Sequence, residues 1–242
     1  MTEADVSVSG EPDPSQSAMP DNDAMMAEHQ RSMERIFDLA AEVGDLTLPI
    51  PACPAWDVRG IVSHLVGTAA FIASREPLPE DVQGWIDSEV ASRSDRSLPS
   101  LVDEWKVAWP KVRAVMDGQP AGGMVIDTVT HEHDLRAAIG PEATEHECGL
   151  YAVLPALIEY VRNLDLFAGT DGVRLLTPTA SVRFGGPKIG LEARLADDWE
   201  LSRLLACRRS ASQIDAIPAD GNRDLLYTLV SRYPLPEWPL DL

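Results

Sequence analysis

The segment DTVTHEHDLRAAIG, residues 127–140, sets two histidines and three carboxylates within the eight residues from Asp127 to Asp134. Such side chains serve as metal ligands, as general acids and bases, or simply as the polar face of a surface helix. If the segment is helical, His131 lies one turn beyond Asp127, and Asp134 falls on the same face. Glu132 and His133 point elsewhere, His133 being about 200° around the axis from His131 at 100° per residue. The segment therefore supplies at most two ligands, Asp127 and His131, and a third must come from another element. His64, alone among the apolar residues of a second helical stretch, is the natural candidate. Two imidazoles and a carboxylate with one open position form a catalytic zinc set that nickel or iron would also accept, and it suits activation of a nucleophile. The plainer alternatives stand beside this reading. An acid and a histidine at helical spacing also make an ordinary surface pair, and a lone histidine on an apolar face is commonly a core residue.

Positioning these residues requires helices, and the pattern supplies them. Apolar residues recur at helical spacing over 24–43, and Gly44 supplies a stop. Pro49, Pro51 and Pro54 then enforce an extended entry before Asp57, which is suited to cap a second helix carrying His64. A loop with one short helix follows over 75–97. A third long helix is expected over 100–116, with Pro110 as a kink point, and a fourth over 124–139, stopped by Gly140 and Pro141. Four such helices predict a bundle. After about residue 145 the texture changes to one more helix over 150–167, then short strands in VRLLTPTASVRFGG and KIGLEARLA. A helix in WELSRLLACRRS and a last one over 224–232 complete the pattern. The expected organisation is mainly α: an acidic disordered tail over 1–23, a four-helix metal-binding bundle over 24–145 and a smaller α/β domain over 146–242.

Composition narrows the partners. Lys and Arg total 20 against 39 Asp and Glu, a formal net charge of −19, which disfavours phosphate backbones and anionic lipid surfaces. No apolar run approaches the roughly 18 residues of a membrane span, and the N-terminus lacks the pattern of a signal peptide, so a cytoplasmic location is expected. Cys53, Cys148 and Cys207 are odd in number and scattered, as packed thiols are and disulfide frameworks are not. Trp56, Trp105, Trp109 and Trp199 read as packing residues, His29 and His146 as exposed, and Arg136 as an ion-pair partner on the fourth helix.

The stretch PACPAWDVRGIVSHLVG, with HEHDLRAAIG and LLACRRSASQI further on, resembles the mycothiol-dependent maleylpyruvate isomerase family over about residues 25–232. The resemblance implies a DinB-like metal-binding bundle joined to a small C-terminal α/β domain. It also implies that His64, Asp127 and His131 hold a divalent metal, most simply zinc, with Asp134 and Leu135 completing the motif. Asp127 stands where the family usually has Glu, which draws the carboxylate back by roughly 1.5 Å. Ligation directly or through a water is left open.

The same resemblance implies a reaction in which mycothiol, a low-molecular-weight thiol, adds to a small electrophile. For an isomerase, the thiolate adds to a cis double bond, and rotation and elimination give the trans isomer; for an S-transferase, the adduct is kept. No protein cysteine is then needed as nucleophile. Asp134 is expected to orient His131 or to accept a proton. Arg208 and Arg209 are the expected anchors for a substrate carboxylate, since guanidinium binds carboxylates in bidentate fashion. The competing class is a non-catalytic binding or regulatory protein that keeps the bundle, with or without a structural metal.

Overall fold

The computed structural model describes residues 20–140 and 148–240. The expected acidic tail lies outside the described residues up to position 19, as does His146. Helix α1 (Asn22–Val43) begins two residues before the apolar periodicity does, because the Asp21 carboxylate accepts the Ala24 N–H at 2.7 Å. Gly44 ends it at φ +68°, in the left-handed region open to glycine. Asp57 caps α2 (Val58–Ser74) by accepting the Gly60 N–H at 2.7 Å. Pro49 and Asp57 pair as an isolated antiparallel bridge, so the proline-rich segment loops out and returns to the start of α2.

Helix α3 (Val82–Ala91) fully buries none of its residues, and α4 (Leu98–Val115) continues through Pro110. Helix α5 (Gly122–Ile139) carries Asp127, His131 and Asp134, and Gly140 ends it as expected. Helices α1, α2, α4 and α5 form a DinB-like four-helix bundle in which α2 packs on α4, and α1 on α5. Met33, Ile36, Ile61, Val62, Leu101, Val125, Val129 and Leu135 fill its core with no exposed surface. Each large aliphatic side chain buried in this way contributes on the order of 1.5–3 kcal/mol.

Helix α6 (Leu150–Arg162) is shorter than its apolar stretch, because the chain turns after Asn163 and Asp165 adopts φ +49°. Strands β1 (Gly172–Leu176), β2 (Ser181–Phe184), β3 (Ile189–Arg194) and β4 (Ala219–Gly221) form one sheet in the order β2-β1-β3-β4. Pairing is antiparallel between β1 and β2, parallel between β1 and β3, and antiparallel between β3 and β4. Val173, Leu175, Val182, Phe184, Leu191 and Ala193 are buried at alternate positions, as one covered face requires. Strand β4 is too short to show an alternation and is not legible in the sequence.

Helix α7 (Asp198–Leu205) stops before the arginine pair. Cys207 adopts φ +59°, its N–H bonds to the Leu204 carbonyl and the Arg208 N–H to the Arg203 carbonyl, the reversal of a Schellman turn. Helix α8 (Ala211–Ala216) follows behind a capping box of Ser210 and Gln213, and α9 (Asp224–Leu229) is shorter than expected. Helix α6 packs against both α5 and α7, so the bundle and the C-terminal elements meet beside the segment 127–134.

Candidate metal centre and its cavity

His64, two turns inside α2, and Asp127 and His131, one turn apart on α5, turn toward a common point. His64 Nε2 lies 3.1 Å from Asp127 Oδ1, and His131 Nε2 lies 3.5 Å from the same oxygen. The two imidazole rings meet edge to face at 5.2 Å. One ligand atom from each residue falls within 4.8 Å of the others. Bonds of about 2.1 Å to a tetrahedral ion set ligand atoms about 3.4 Å apart, so these separations fit a three-ligand site. The shorter aspartate side chain therefore reaches the point on which both imidazoles converge. Trp56, at the return of the proline-rich loop, stacks on His64 with ring centres 4.9 Å apart and walls off one side.

Charge follows from this geometry. Burial works against ionisation of Asp127, yet the neighbouring His64 above all, then His131 and His29, hold its carboxyl down at about 2. Burial likewise opposes protonation of His64, but Asp127 outweighs it and raises that imidazole's pKa.

Behind the three residues stands Asp134, with no exposed surface. Its Oδ2 lies 3.2 Å from His131 Nδ1, an arrangement that places the proton on Nδ1 and leaves Nε2 as the lone-pair face toward Asp127. Arg203 Nη2 donates to Asp134 Oδ1 at 2.9 Å, and Arg208 Nε donates to both oxygens at 3.1 and 3.0 Å. The two guanidiniums, Arg208 the stronger, overcome burial and hold the Asp134 carboxyl well below its ordinary range. Arg208 thus lines the cavity with its guanidinium already engaged. Arg209 does not reach the cavity: its Nε and Nη2 donate to the two carboxylate oxygens of Glu200 at 2.9 and 2.5 Å.

Cys53 also approaches this group, its thiol donating to Asp134 Oδ2 at 3.5 Å and lying 3.9 Å from His131 Nδ1. Cys53, His131 and Asp134 could be read as a second ligand set. The chemistry speaks against it, because a metal takes thiolate, and burial and the Asp134 charge push this thiol up to about 12. Asp134 is moreover neutralised by two arginines.

Glu132 and His133 point away from the centre, as helical geometry requires, but into the protein. Glu132 accepts hydrogen bonds from Ser32 Oγ at 2.7 Å, Arg35 Nε at 2.7 Å and Arg136 Nε at 3.0 Å. His133 Nε2 lies 2.8 Å from the Cys148 carbonyl, and its ring packs on Trp199 at 4.5 Å. His29, expected on the surface, is buried: α1 runs along α5, and His29 Nδ1 lies 2.7 Å from Thr128 Oγ1 with its ring against Trp109. Burial lowers its pKa to about 4.

The centre opens into a cavity of about 510 Å³. Trp56, His64, Asp127 and His131 line it from the bundle, Leu157 and Tyr160 from α6, and Arg208, Arg232 and Tyr233 from the C-terminal elements. Cys53, Trp56, Tyr160, Arg203 and Arg232 escaped the sequence reading as site residues. Trp56 alone carried a signal, through its place beside the helix cap Asp57.

A DinB-like bundle with a small C-terminal α/β part, carrying a cluster of side chains that could hold a metal ion, is thus the class of protein that fold and site define. Residues 29–148 match the family described as the mycothiol maleylpyruvate isomerase N-terminal domain, and the chain belongs to that family. Two solved structures share the fold: the mycothiol-dependent maleylpyruvate isomerase and a histidine-to-alanine mutant of it. Each is 12% identical and superposes with a TM-score of 0.57 over 84% of this chain and 94% of theirs. No curated protein sequence matches the chain. Among the described residues no helix is long and apolar enough to cross a membrane.

Proposed function

We propose that this protein is a metal-dependent enzyme that uses mycothiol as cosubstrate to isomerise, or to join to the thiol, a small electrophile bearing a carboxylate. His64, Asp127 and His131 are its ligands for a divalent ion, zinc being the ion that best suits two imidazoles and one carboxylate. A bound divalent ion would favour the thiolate form of a coordinating thiol, the nucleophile such a reaction needs. The protein's own residues supply the rest. Asp134 holds His131 by its Nδ1 proton, with Arg203 and Arg208 fixing Asp134 in turn. Trp56 excludes water from one side of His64, and the cavity provides room for a thiol and a small substrate together. The neutral Cys53 thiol leaves the nucleophile's role to the cosubstrate. The bundle over 24–145 would carry the metal, the domain over 146–242 would close the cavity, and the cytoplasm would keep both thiols reduced.

The observation that carries this reading is the convergence of both Nε2 atoms on Asp127 Oδ1 in the cavity wall. The test is metal analysis of the purified protein beside His64→Ala and His131→Ala, followed by an assay with mycothiol and maleylpyruvate. One equivalent of divalent ion in the wild type, lost in both variants, together with thiol-dependent turnover is the expected result. A metal-free wild type ends the proposal, and bound metal without turnover reduces the site to a structural or regulatory one.

A further inference from the structure

The Arg208–Arg209 pair looked like the anion anchor, but both side chains are engaged. Arg208 directs Nε to both oxygens of Asp134, Nη1 to the Ala206 carbonyl, and Nη2 to Asp134 and the Cys53 sulfur. Arg209 is turned to Glu200. A substrate carboxylate could recruit either only by breaking an ion pair already formed in a buried place.

Arg232 is different. It lies in the wall of the same cavity, between the end of α9 and the C-terminal segment. Its Nη1 donates to the Leu229 carbonyl at 2.6 Å, and its Nη2 donates to the Leu205 carbonyl and lies 3.4 Å from the Cys207 sulfur. Its Nε is buried and bonds to nothing. Among the described residues no carboxylate pairs with it, although acids outnumber bases 39 to 20 in the chain. The carbonyls hold the guanidinium in place without neutralising it, and the Tyr160 ring, 5.9 Å from its central carbon, supports its flat side. A guanidinium fixed by neutral groups, with one Nη1 hydrogen unused and no counter-ion, is arranged for an incoming anion.

We propose that Arg232 is the carboxylate anchor of the cavity, binding an acid group of the small electrophile while the His64–Asp127–His131 centre takes the thiol. This rests on reading the cavity as the substrate site. Arg232 then selects the carboxylate-bearing electrophile over its uncharged counterpart.

The test is calorimetric binding of maleate, an unreactive dicarboxylate, to the metal-loaded full chain, with maleamide as its uncharged counterpart. Wild type is compared with Arg232→Met, Arg232→Lys and Arg209→Met. Loss of a charge-assisted contact predicts a ten- to hundredfold rise in the maleate Kd for Arg232→Met. A smaller rise is expected for Arg232→Lys and none for Arg209→Met, with maleamide binding alike in all four. Unchanged maleate binding in Arg232→Met, equal losses for maleate and maleamide, or no maleate binding to the wild type overturns the assignment. Should Arg232→Met fail to fold, Arg232→Gln, which keeps donors for the two carbonyls, carries the same comparison. Arg232-dependent maleate binding without thiol-dependent turnover keeps the anchor and removes the isomerase reading. Maleylpyruvate turnover with an unchanged KM in Arg232→Met does the reverse.

Discussion

Asp134 Oδ2 stands 3.2 Å from His131 Nδ1, on the opposite side of the ring from the Nε2 that faces Asp127. One carboxylate thus fixes the imidazole that the other would share a metal with, and the first is itself held by Arg203 and Arg208 from beyond the bundle. The C-terminal elements are thereby tied to the orientation of His131, the proposed ligand.

This tie predicts two effects of Asp134→Asn. Removing the charge leaves two buried guanidiniums without their counter-ion, which costs roughly 3–5 kcal/mol when one partner of a buried pair is lost. Freeing His131 Nδ1 weakens metal binding by about 10- to 100-fold. Urea unfolding reads the first and competition with a chromophoric chelator the second. Wild-type metal affinity in a destabilised but folded variant would show that Asp134 serves only the interface.

A second prediction concerns the length of the Asp127 side chain. Its Oδ1 already sits 3.1 and 3.5 Å from the two Nε2 atoms, close to the edge of a tetrahedral site. Asp127→Glu should therefore bring no gain in metal affinity, while Asp127→Asn, lacking the charge, should lose at least about tenfold. The same chelator competition checks both. A clear gain with Glu would mean that the aspartate falls short of direct ligation.

How much of this was legible in the sequence depends on the range of the interaction. The helices of the bundle were readable because Asp57, Gly44 and Gly140 act on their immediate neighbours, and the grouping of Asp127, His131 and Asp134 follows from helical period alone. The depth of that helix was not readable. Helix α5 buries residues from both sides, between α1 and α6, so Glu132 and His133 look like surface residues in the sequence yet are enclosed. The arginines misled for a similar reason: Cys207, at φ +59°, ends α7 in a reversal after which Arg208 pairs with Asp134 and Arg209 with Glu200, and nothing local in CRRS announces it. Arg232 was invisible because its meaning lies in the absence of a carboxylate beside it, a property of the fold.

The enclosed histidines give the last prediction, which is an acid-sensitive fold. Burial lowers the pKa of His29 from 6.5 to about 4, and burial with the Arg203 charge does the same to His133. Between pH 6.5 and 4 the unfolded chain binds protons at these positions that the folded protein refuses, so stability falls as the pH falls across that window. Each histidine withdraws at most about 3 kcal/mol, from 1.36 kcal/mol per pH unit over the shift. Asp127, Glu132 and Asp134, whose pKa values are depressed in the fold, act in the same direction at lower pH, their contribution being lost as they protonate. His64 opposes them, since its raised pKa gives stability that is complete below 6.5 and lost as the pH rises through its folded value. Urea midpoints in the wild type should therefore decline as the pH falls from about 6.5 to 4.5, with no decline between pH 7.5 and 6.5, where His64 acts in the opposite direction. The decline should be much shallower in the His29→Gln, His133→Gln double variant. An undiminished slope in that variant would place the acid sensitivity elsewhere and remove these two histidines as its source.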